Sequence, residues 1–563
     1  MRMSRKDHLS AANDKYRIGI FVLIAVLLAL PAVRHAGSNV TSRFATAVRI
    51  VENGSAELGP FAAWTNDVAK KDGGSYSDKA PGVTLILIPI YAMVRIFTQD
   101  FDRARHLCRL LTLLPLVLFA CAVFWRCLRR WDIDEKIAAA SVATWAVGTV
   151  AWAYHSMLFG HGFASALILL GVIFLIQYRQ GESKDAKALA ISGLCFGLSI
   201  AIEYPTALIG GAAGLYLLSF ERSPKRIAIF AALGVLLPAA IILAYNGAVF
   251  GDPLHIGYTQ VKSQYYQQQM SQGFLGIGLP KASGLYLLLL SAAKGLLFWS
   301  PVFIYSLVGL VFMLKKSPRE GAFIGGTFIL YTLVFSGHFE ASGGAGLGPR
   351  HLTPLAGPLV FAAAWLAAQT RGWKRGVFFG LAIISSVLAA IGVFSEAQMP
   401  DLVGNTLFEF ALPMLTEGVG SGNILGLPNW GAFVLALTLI GVLWALILRR
   451  GESNSPDARR FRYGVFFTMV ICLVFYLGVA PKIGQTEPGA LHQIKGNHFM
   501  MRKDCHRASW EYGEAFKTRK DPYILLYWSR ALNRCGRKEE AALIYNRWLQ
   551  ANPEADPNPM TIP

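Results

Sequence analysis

The chain has 563 residues, 54% of them hydrophobic and only 15% charged, and its apolar residues are bunched into long runs. Soluble domains carry about 25% charged residues, which excludes a large soluble core. The net charge is +19, from 53 Lys+Arg against 34 Asp+Glu; the cations sit in loops between apolar runs, as membrane proteins place them, so the partner they indicate is the lipid bilayer and not nucleic acid.

Runs of about 20 residues without charge recur along the chain, each long enough to cross a hydrocarbon core of about 30 Å. They predict an all-α polytopic membrane protein with about thirteen transmembrane helices and a small helical soluble tail. The expected spans are 18–34, 107–126, 137–156, 159–178, 188–203, 204–220, 226–249, 295–314, 321–338, 351–370, 376–395, 430–448 and 463–480. The first run has basic flanks and no small-residue cleavage pattern, so it reads as a retained anchor.

Charge sets the expected orientation. Residues 1–17, with Arg2, Lys15 and Arg17, read as a cytoplasmic N-terminus. The loops with Arg129 and Arg130, Arg179 and Lys184, Arg222 and Lys225, Lys315 and Lys316, Arg371 and Lys374, and Arg449 and Arg450 fall on the same side, and the stretch 396–430 has no Lys or Arg. Residues 82–97 look like a further span, but crossing there would turn every later basic loop outward. With Pro89 and Arg95 they read instead as a re-entrant or interfacial segment. The first outer loop then runs over about 34–106, within a membrane domain of 18–480, and a loop of that size is usually functional.

The tail, 481–563, turns soluble in composition and is expected on the extracytoplasmic side. Residues 522–553 are similar to one tetratricopeptide repeat: Trp528, Ala531 and Leu532, a turn at Gly536, then Ala541, Tyr545 and Leu549, and a closing Pro553. This reads either as a docking platform for a protein partner or as a helical cap on the membrane domain. Cys505 and Cys535 both lie in the tail, where an oxidising compartment would favour a disulfide between them.

Transporters place ionisable groups near mid-membrane on broken helices. Here the spans are poor in Asp and Glu, and polar residues gather in outer loops and at outer span ends, which points to a site at the headgroup level. Residues 42–58 can form an amphipathic helix along the membrane, with Arg43 and Arg49 near headgroups and Ile50 and Val51 in lipid. The SDKAPG sequence that follows puts Lys79 where an ammonium would meet a lipid-linked phosphate.

The stretch SYSDKAPGVTLILIPIY (75–91) resembles the Lys-Pro-Pro-Gly-type motif after the first loop of polyprenyl-phosphate-sugar-dependent glycosyltransferases. That superfamily, GT-C, includes protein O-mannosyltransferases and the aminoarabinose transferases of lipid A. HSMLFGHGFASAL (155–167), IEYPTAL (202–208), YNGAVFGDPLHIGY (245–258), KGLLFWSPVFIY (294–305) and GGAGLGPRHLTPLAGPL (343–359) resemble a bacterial branch of it, in the expected order. The resemblance covers most of the membrane part and leaves the tail outside. It implies a multi-pass protein of the plasma (inner) membrane that transfers a sugar from a polyprenyl-phosphate donor to an acceptor hydroxyl on the outer face. A first-loop Asp would be the base and cations would hold the leaving phosphate.

By that resemblance Lys79 contacts the lipid phosphate and Arg350 is a second phosphate or sugar contact. The family's early first-loop Asp is missing: 38–47 reads SNVTSRFATA, with Asn39 the nearest polar residue. Asp67 is the substitute base, followed by Asp78 and Glu52. Arg43, His161, Glu203, Tyr204, Tyr258 and Glu340 are expected to line the substrate pocket, with His155, Asp252 and His338 as further outer-end polar residues. No cofactor is firmly implied; Asp67, Asp72 and Asp78 offer oxygen ligands for a divalent cation, but their spacing matches no metal motif. The alternatives are a transporter or flippase of lipid-linked glycans and a non-catalytic cell-envelope scaffold. The sugar and the acceptor (lipid, glycan or protein) stay open.

Overall fold

A computed structural model of the chain describes residues 5–33, 37–181, 185–418, 420–450 and 455–552; Arg2, Lys184 and Pro553 lie outside the described residues. The chain enters through α1 (Arg5–Ala29), polar to Arg17 and apolar thereafter, and turns into α2 (Gly37–Asn53). A hairpin of β1 (Val68–Lys71) and β2 (Gly74–Ser77) follows, joined by Asp72 and Gly73. Both linking residues have positive φ, 48° and 79°, as a two-residue type I′ turn requires. Next comes α3 (Gly82–Val94), whose 13 residues are too few to span a bilayer. Its first residue presses on the helix Ala186–Ile202: a Cβ at Gly82 would lie 2.7 Å from the Ala201 carbonyl oxygen.

The membrane bundle contains α4 (Phe101–Arg130), α5 (Glu135–Val147), α6 (Gly160–Gln180), α7 (Ala186–Ile202), α8 (Tyr204–Leu218) and α9 (Pro224–Phe250). It continues with α10 (Val302–Lys316), α11 (Pro318–Ser336), α12 (Arg350–Gln369), α13 (Gly372–Glu396), α14 (Asn429–Arg449) and α15 (Pro456–Lys482). Among the described residues seven helices (α4, α6, α9, α12, α13, α14 and α15) are long and apolar enough to cross a membrane. The protein is an all-α polytopic membrane protein. Regular β-structure among the described residues is confined to the hairpin and a two-residue pairing of Pro31–Ala32 with Gly422–Asn423.

The remaining expected spans (18–34, 137–156, 188–203, 204–220, 295–314 and 321–338) are helical but shorter, interrupted or more charged. Two interruptions pack against each other. α5 stops at Gly148 and the helix resumes at Ala151–His155; Ser300 and Pro301 break the run ahead of α10. The Val150 N–H freed by the first break donates to Ser300 Oγ at 3.0 Å, and the Val302 N–H beside the second donates to Ser385 Oγ at 3.0 Å. Irregular backbone at membrane depth is tolerated where protein satisfies it in this way.

α6 and α12 form the buried centre, 89% of the most apolar stretch of each lying inside the protein, whereas for α9 and α15 that share is only 17%. α15 exposes Phe466, Phe467, Ile471, Val474 and Leu477, an apolar surface suited to lipid. It meets α13 through small residues: a Cβ on Gly376 would lie 2.4 Å from Phe461 O, and one on Gly464 2.4 Å from Trp373 O.

Among the described residues the tail forms four helices, α16 (Pro488–Met501), α17 (Cys505–Arg519), α18 (Pro522–Arg534) and α19 (Lys538–Ala551). Leu525, Leu526, Leu532, Ala541, Ile544, Tyr545 and Trp548 close the last two around a turn where Gly536 has φ of 78°. Cys505 and Cys535 are disulfide-bonded, Cα atoms 5.5 Å apart, tying the start of α17 to the end of α18. The tail packs on its own membrane domain: buried Glu396 meets Arg502 Nη1 at 3.2 Å and His498 Nε2 at 3.7 Å, and Asn405 Nδ2 donates to the carbonyls of Ala480 and Ile483.

Candidate active site

The hairpin register builds the centre of the site. Val68 pairs with Ser77, so the flanking Asp67 and Asp78 meet at the open end. Lys79 Nζ lies 3.3 Å from Asp67 Oδ2 and 3.3 Å from Asp78 Oδ1. Ser42 Oγ, on α2, donates to the Asp67 carbonyl oxygen at 2.8 Å and shares a 2.7 Å hydrogen bond with the Ser77 hydroxyl, fixing this end to the helix. Asp72 occupies the turn at the other end, five residues from Asp67 and about 16 Å away at 3.3 Å per residue, too far to share a cation with Asp67 and Asp78.

The 257–262 segment lies alongside: the Lys262 N–H donates to the Val68 carbonyl at 2.8 Å, and Ala69 bridges to Val261. That contact brings the Tyr258 ring within 5.1 Å of Lys79 Nζ, a cation–π distance, with Tyr204 edge-on to Tyr258 at 6.0 Å. Gly257 fits against Asp78, where a Cβ would lie 2.8 Å from its Cα.

Burial separates the two acids. The Asp78 side chain is 5% exposed and that of Asp67 23%. Burial pushes the Asp78 carboxyl up to about 6, against the pull of Lys79. For Lys79, burial disfavours the charge, but Asp67 and Asp78 more than offset it, and the ammonium is held above its ordinary range. The Tyr258 hydroxyl is pushed up to about 12, chiefly by burial.

Behind this cluster lies a buried ion pair. Arg43 Nη1 is 2.9 Å from Glu203 Oε1 at the end of α7 and 2.8 Å from Asn39 Oδ1, and Nη2 donates to the Ile202 carbonyl at 3.0 Å. Asn39 therefore serves as a partner of Arg43 one turn along α2. A Cβ at Gly160 would sit 2.0 Å from Glu203 Oε1 and 2.4 Å from Arg43 Nη1. Only glycine fits there, and it carries the chain from Phe159 to His161 across the pair.

His161 opens a second group. Its ring stacks on Phe159 at 5.4 Å and meets His351 edge-on at 5.7 Å; His338 lies 5.8 Å from His351. Arg350 Cζ is 5.6 Å from the Phe159 ring centroid. Glu340 Oε1 accepts from the Tyr266 hydroxyl at 3.0 Å. Arg350 Nε, His351 Nε2 and His161 Nδ1 are buried polar atoms without a hydrogen-bond partner among the described residues. The glycine-rich loop ahead of Arg350 is clamped by buried Lys294, whose Nζ donates to Gly344 O at 2.9 Å and Gly346 O at 2.7 Å. Burial brings the Lys294 ammonium down to about 8.

Lys79, Asp67, Asp78, Arg43, Glu203, Tyr204 and Tyr258 thus converge, and His161, Arg350 and Glu340 form the adjoining group. Glu52 does not join them. It is exposed, accepts from the Tyr91 hydroxyl, and lies nine residues along α2 from Arg43, about 13 Å at 1.5 Å per residue. His155 is interior, with Nδ1 3.3 Å from the Ala146 carbonyl, and Asp252 caps a turn by accepting from the Leu254 N–H. Sequence reasoning missed Lys294, Tyr266, His351 and Ser42. A lysine opening the apolar run KGLLFW was a usable signal for the first; the others depend on loop packing.

No family model matches this chain, and no curated protein matches it. Among solved structures it is similar to the crystal structure of ArnT from Cupriavidus metallidurans bound to undecaprenyl phosphate. That similarity has a TM-score of 0.48 and 14% sequence identity, over 82% of this chain and 78% of that one.

Proposed function

We propose that the protein is a GT-C-type glycosyltransferase that moves a sugar from a polyprenyl-phosphate donor to an acceptor hydroxyl on the extracytoplasmic face of the plasma membrane. The observation that carries this reading is the open end of the β1–β2 hairpin. There a partly exposed carboxylate, Asp67, and a lysine, Lys79, stand side by side at the end of the bundle remote from the basic loops. α6 gives the separation: His161 and Arg179 are 18 residues apart, about 27 Å at 1.5 Å per residue.

In this reaction Asp67 takes the proton from the acceptor hydroxyl. The hydroxyl oxygen bonds to the anomeric carbon as the bond from that carbon to the phosphate oxygen breaks. The electron pair leaves with the lipid phosphate, which Lys79 and Arg350 hold. Asp67 is preferred over Asp78 on access, because a base must first reach the hydroxyl and Asp78 is the more deeply buried. Glu203 and Arg43 satisfy each other and position the Phe159–His161 turn. His161, Tyr204, Tyr258 and Glu340 offer hydrogen-bonding groups to the sugar. The tail, read as a single tetratricopeptide-like repeat with a disulfide, belongs on the same outer side.

The test is transfer from radiolabelled polyprenyl-phosphate sugars to a membrane-extract acceptor by the purified protein in nanodiscs. Wild type should move label, and Lys79→Ala and Asp67→Asn should each lower turnover at least about 100-fold while the protein stays folded. A wild type that consumes no donor but carries the lipid-linked sugar across the bilayer would be a flippase, and the transferase reading would be wrong.

A further inference from the structure

A cavity of ≈ 530 Å³ opens at the opposite end of the bundle, lined by Arg179 and Gln180 at the end of α6, Phe220 after α8, and Lys316, Arg319 and Glu320 where α10 passes into α11. Its one acid is already engaged: the buried Glu320 carboxylate accepts from Arg179 and, at 2.9 Å, from the Tyr216 hydroxyl. The neighbouring Glu221 accepts from Tyr178 and lies 3.6 Å from Arg226. Lys316 and Arg319 make no ion pair among the described residues, so the cavity keeps an excess of positive charge.

The helices that end at it carry exposed apolar residues: Val308, Val311 and Phe312 on α10, and Leu215 and Leu218 on α8. Cations at the ends of helices with exposed apolar side chains match an anionic headgroup whose acyl chains lie against those helices, and basic pockets between membrane helices bind such headgroups.

We infer that this cavity is a binding site for a phosphate group, carried by an anionic phospholipid of the leaflet on the basic side and held by Lys316 and Arg319. It is separate from the proposed sugar-transfer site, about 27 Å away along α6. It would be occupied whether or not that site is catalytic.

The test uses the full-length protein, delipidated in a neutral detergent, with phosphatidylglycerol, phosphatidylcholine or inorganic phosphate as the probe. Thermal unfolding and native mass spectrometry are the readouts. Phosphatidylglycerol should raise the unfolding midpoint and persist as a bound adduct, and phosphatidylcholine should do neither. The double variant Lys316→Ala, Arg319→Ala should lose roughly tenfold in apparent affinity for phosphatidylglycerol. Both substitutions are at exposed positions, so the variant should fold. If inorganic phosphate alone gives the same wild-type shift and the variant loses it, the site holds but its ligand is a free phosphate. Wild type unmoved by either probe, or a variant that responds as wild type does, would overturn the inference.

Discussion

Asp67 and Asp78 are chemically the same group flanking the two strands of one hairpin, yet their surroundings assign them different tasks. Asp78 is walled in, with its carboxyl pushed up to about 6 chiefly by burial. A carboxyl whose folded value lies above the unfolded value of about 3.9 keeps its proton longer in the folded protein. Its contribution to stability is therefore greatest in acid, is lost as pH rises from about 4 to about 6, and stays lost above that window. Asp78→Asn should accordingly raise the unfolding free energy at pH 7.5, by about 3 kcal/mol at most, and converge on wild type near pH 4. Unfolding curves of both proteins across that range check the sign; a variant less stable than wild type at pH 7.5 would mean that the charged form of Asp78 is needed to hold Lys79. The Arg43–Glu203 pair behaves in the opposite way, because both partners are buried and each is answered by the other. Glu203→Gln should cost about 3 kcal/mol by leaving Arg43 without its counter-charge. Gly160→Ala should destabilise comparably by pushing a methyl into the pair, with thermal unfolding as the measure in both cases. At this scale Lys79 and Arg350 stand out through local motifs, and Asp67 only as the acid of the same loop that substitutes for a missing one. Arg43 meets Glu203 across 160 residues, and no local pattern announces which of several loop acids will face which cation.

Elements were legible where physics is local. Apolar length marked the membrane helices, and the positive φ of Asp72 and Gly73 follows from the Asp-Gly pair that two-residue hairpins favour. The hairpin was nonetheless unread in the sequence, because its strands are four residues each and lie inside a polar loop. The breaks at Gly148 and at Ser300–Pro301 were also hidden: both lie in continuous apolar runs, and what permits them is the hydrogen bond each gains from a distant helix. The tail shows another local constraint in the disulfide joining Cys505 to Cys535 across 30 residues. A loop of that length corresponds to about 3 kcal/mol of stabilisation. Cys535→Ser should therefore leave the membrane bundle intact and loosen α17 to α19, seen as faster proteolysis of the tail. Unchanged proteolysis would mean that the Leu525–Trp548 core holds these helices unaided.

Across the whole molecule, the tail and the candidate site are joined by one segment. Glu396 ends α13 and is held by Arg502 and His498 of the tail, while Arg502 Nη2 also donates to the Gly420 carbonyl at 2.5 Å. Just beyond Glu396, the Met399 carbonyl accepts from the Gly346 N–H at 2.8 Å, and Asp401 Oδ2 accepts from Ser342 Oγ at 2.9 Å. Those contacts brace the glycine-rich loop that Lys294 clamps from the other side and that delivers Arg350. The tail therefore bears on the Arg350 side of the site. Arg502→Ala should leave the buried Glu396 carboxylate short of its strongest partner, at a cost of about 3 kcal/mol. Hydrogen exchange should quicken in α16 and also in 342–350, while 67–79 stays as protected as in wild type. Polyprenyl-phosphate binding should weaken several-fold, in keeping with a displaced Arg350, but less than in Lys79→Ala. Quickened exchange confined to α16 through α19 would show the tail to be a passive cap, and the loop ahead of Arg350 to be held by Lys294 alone.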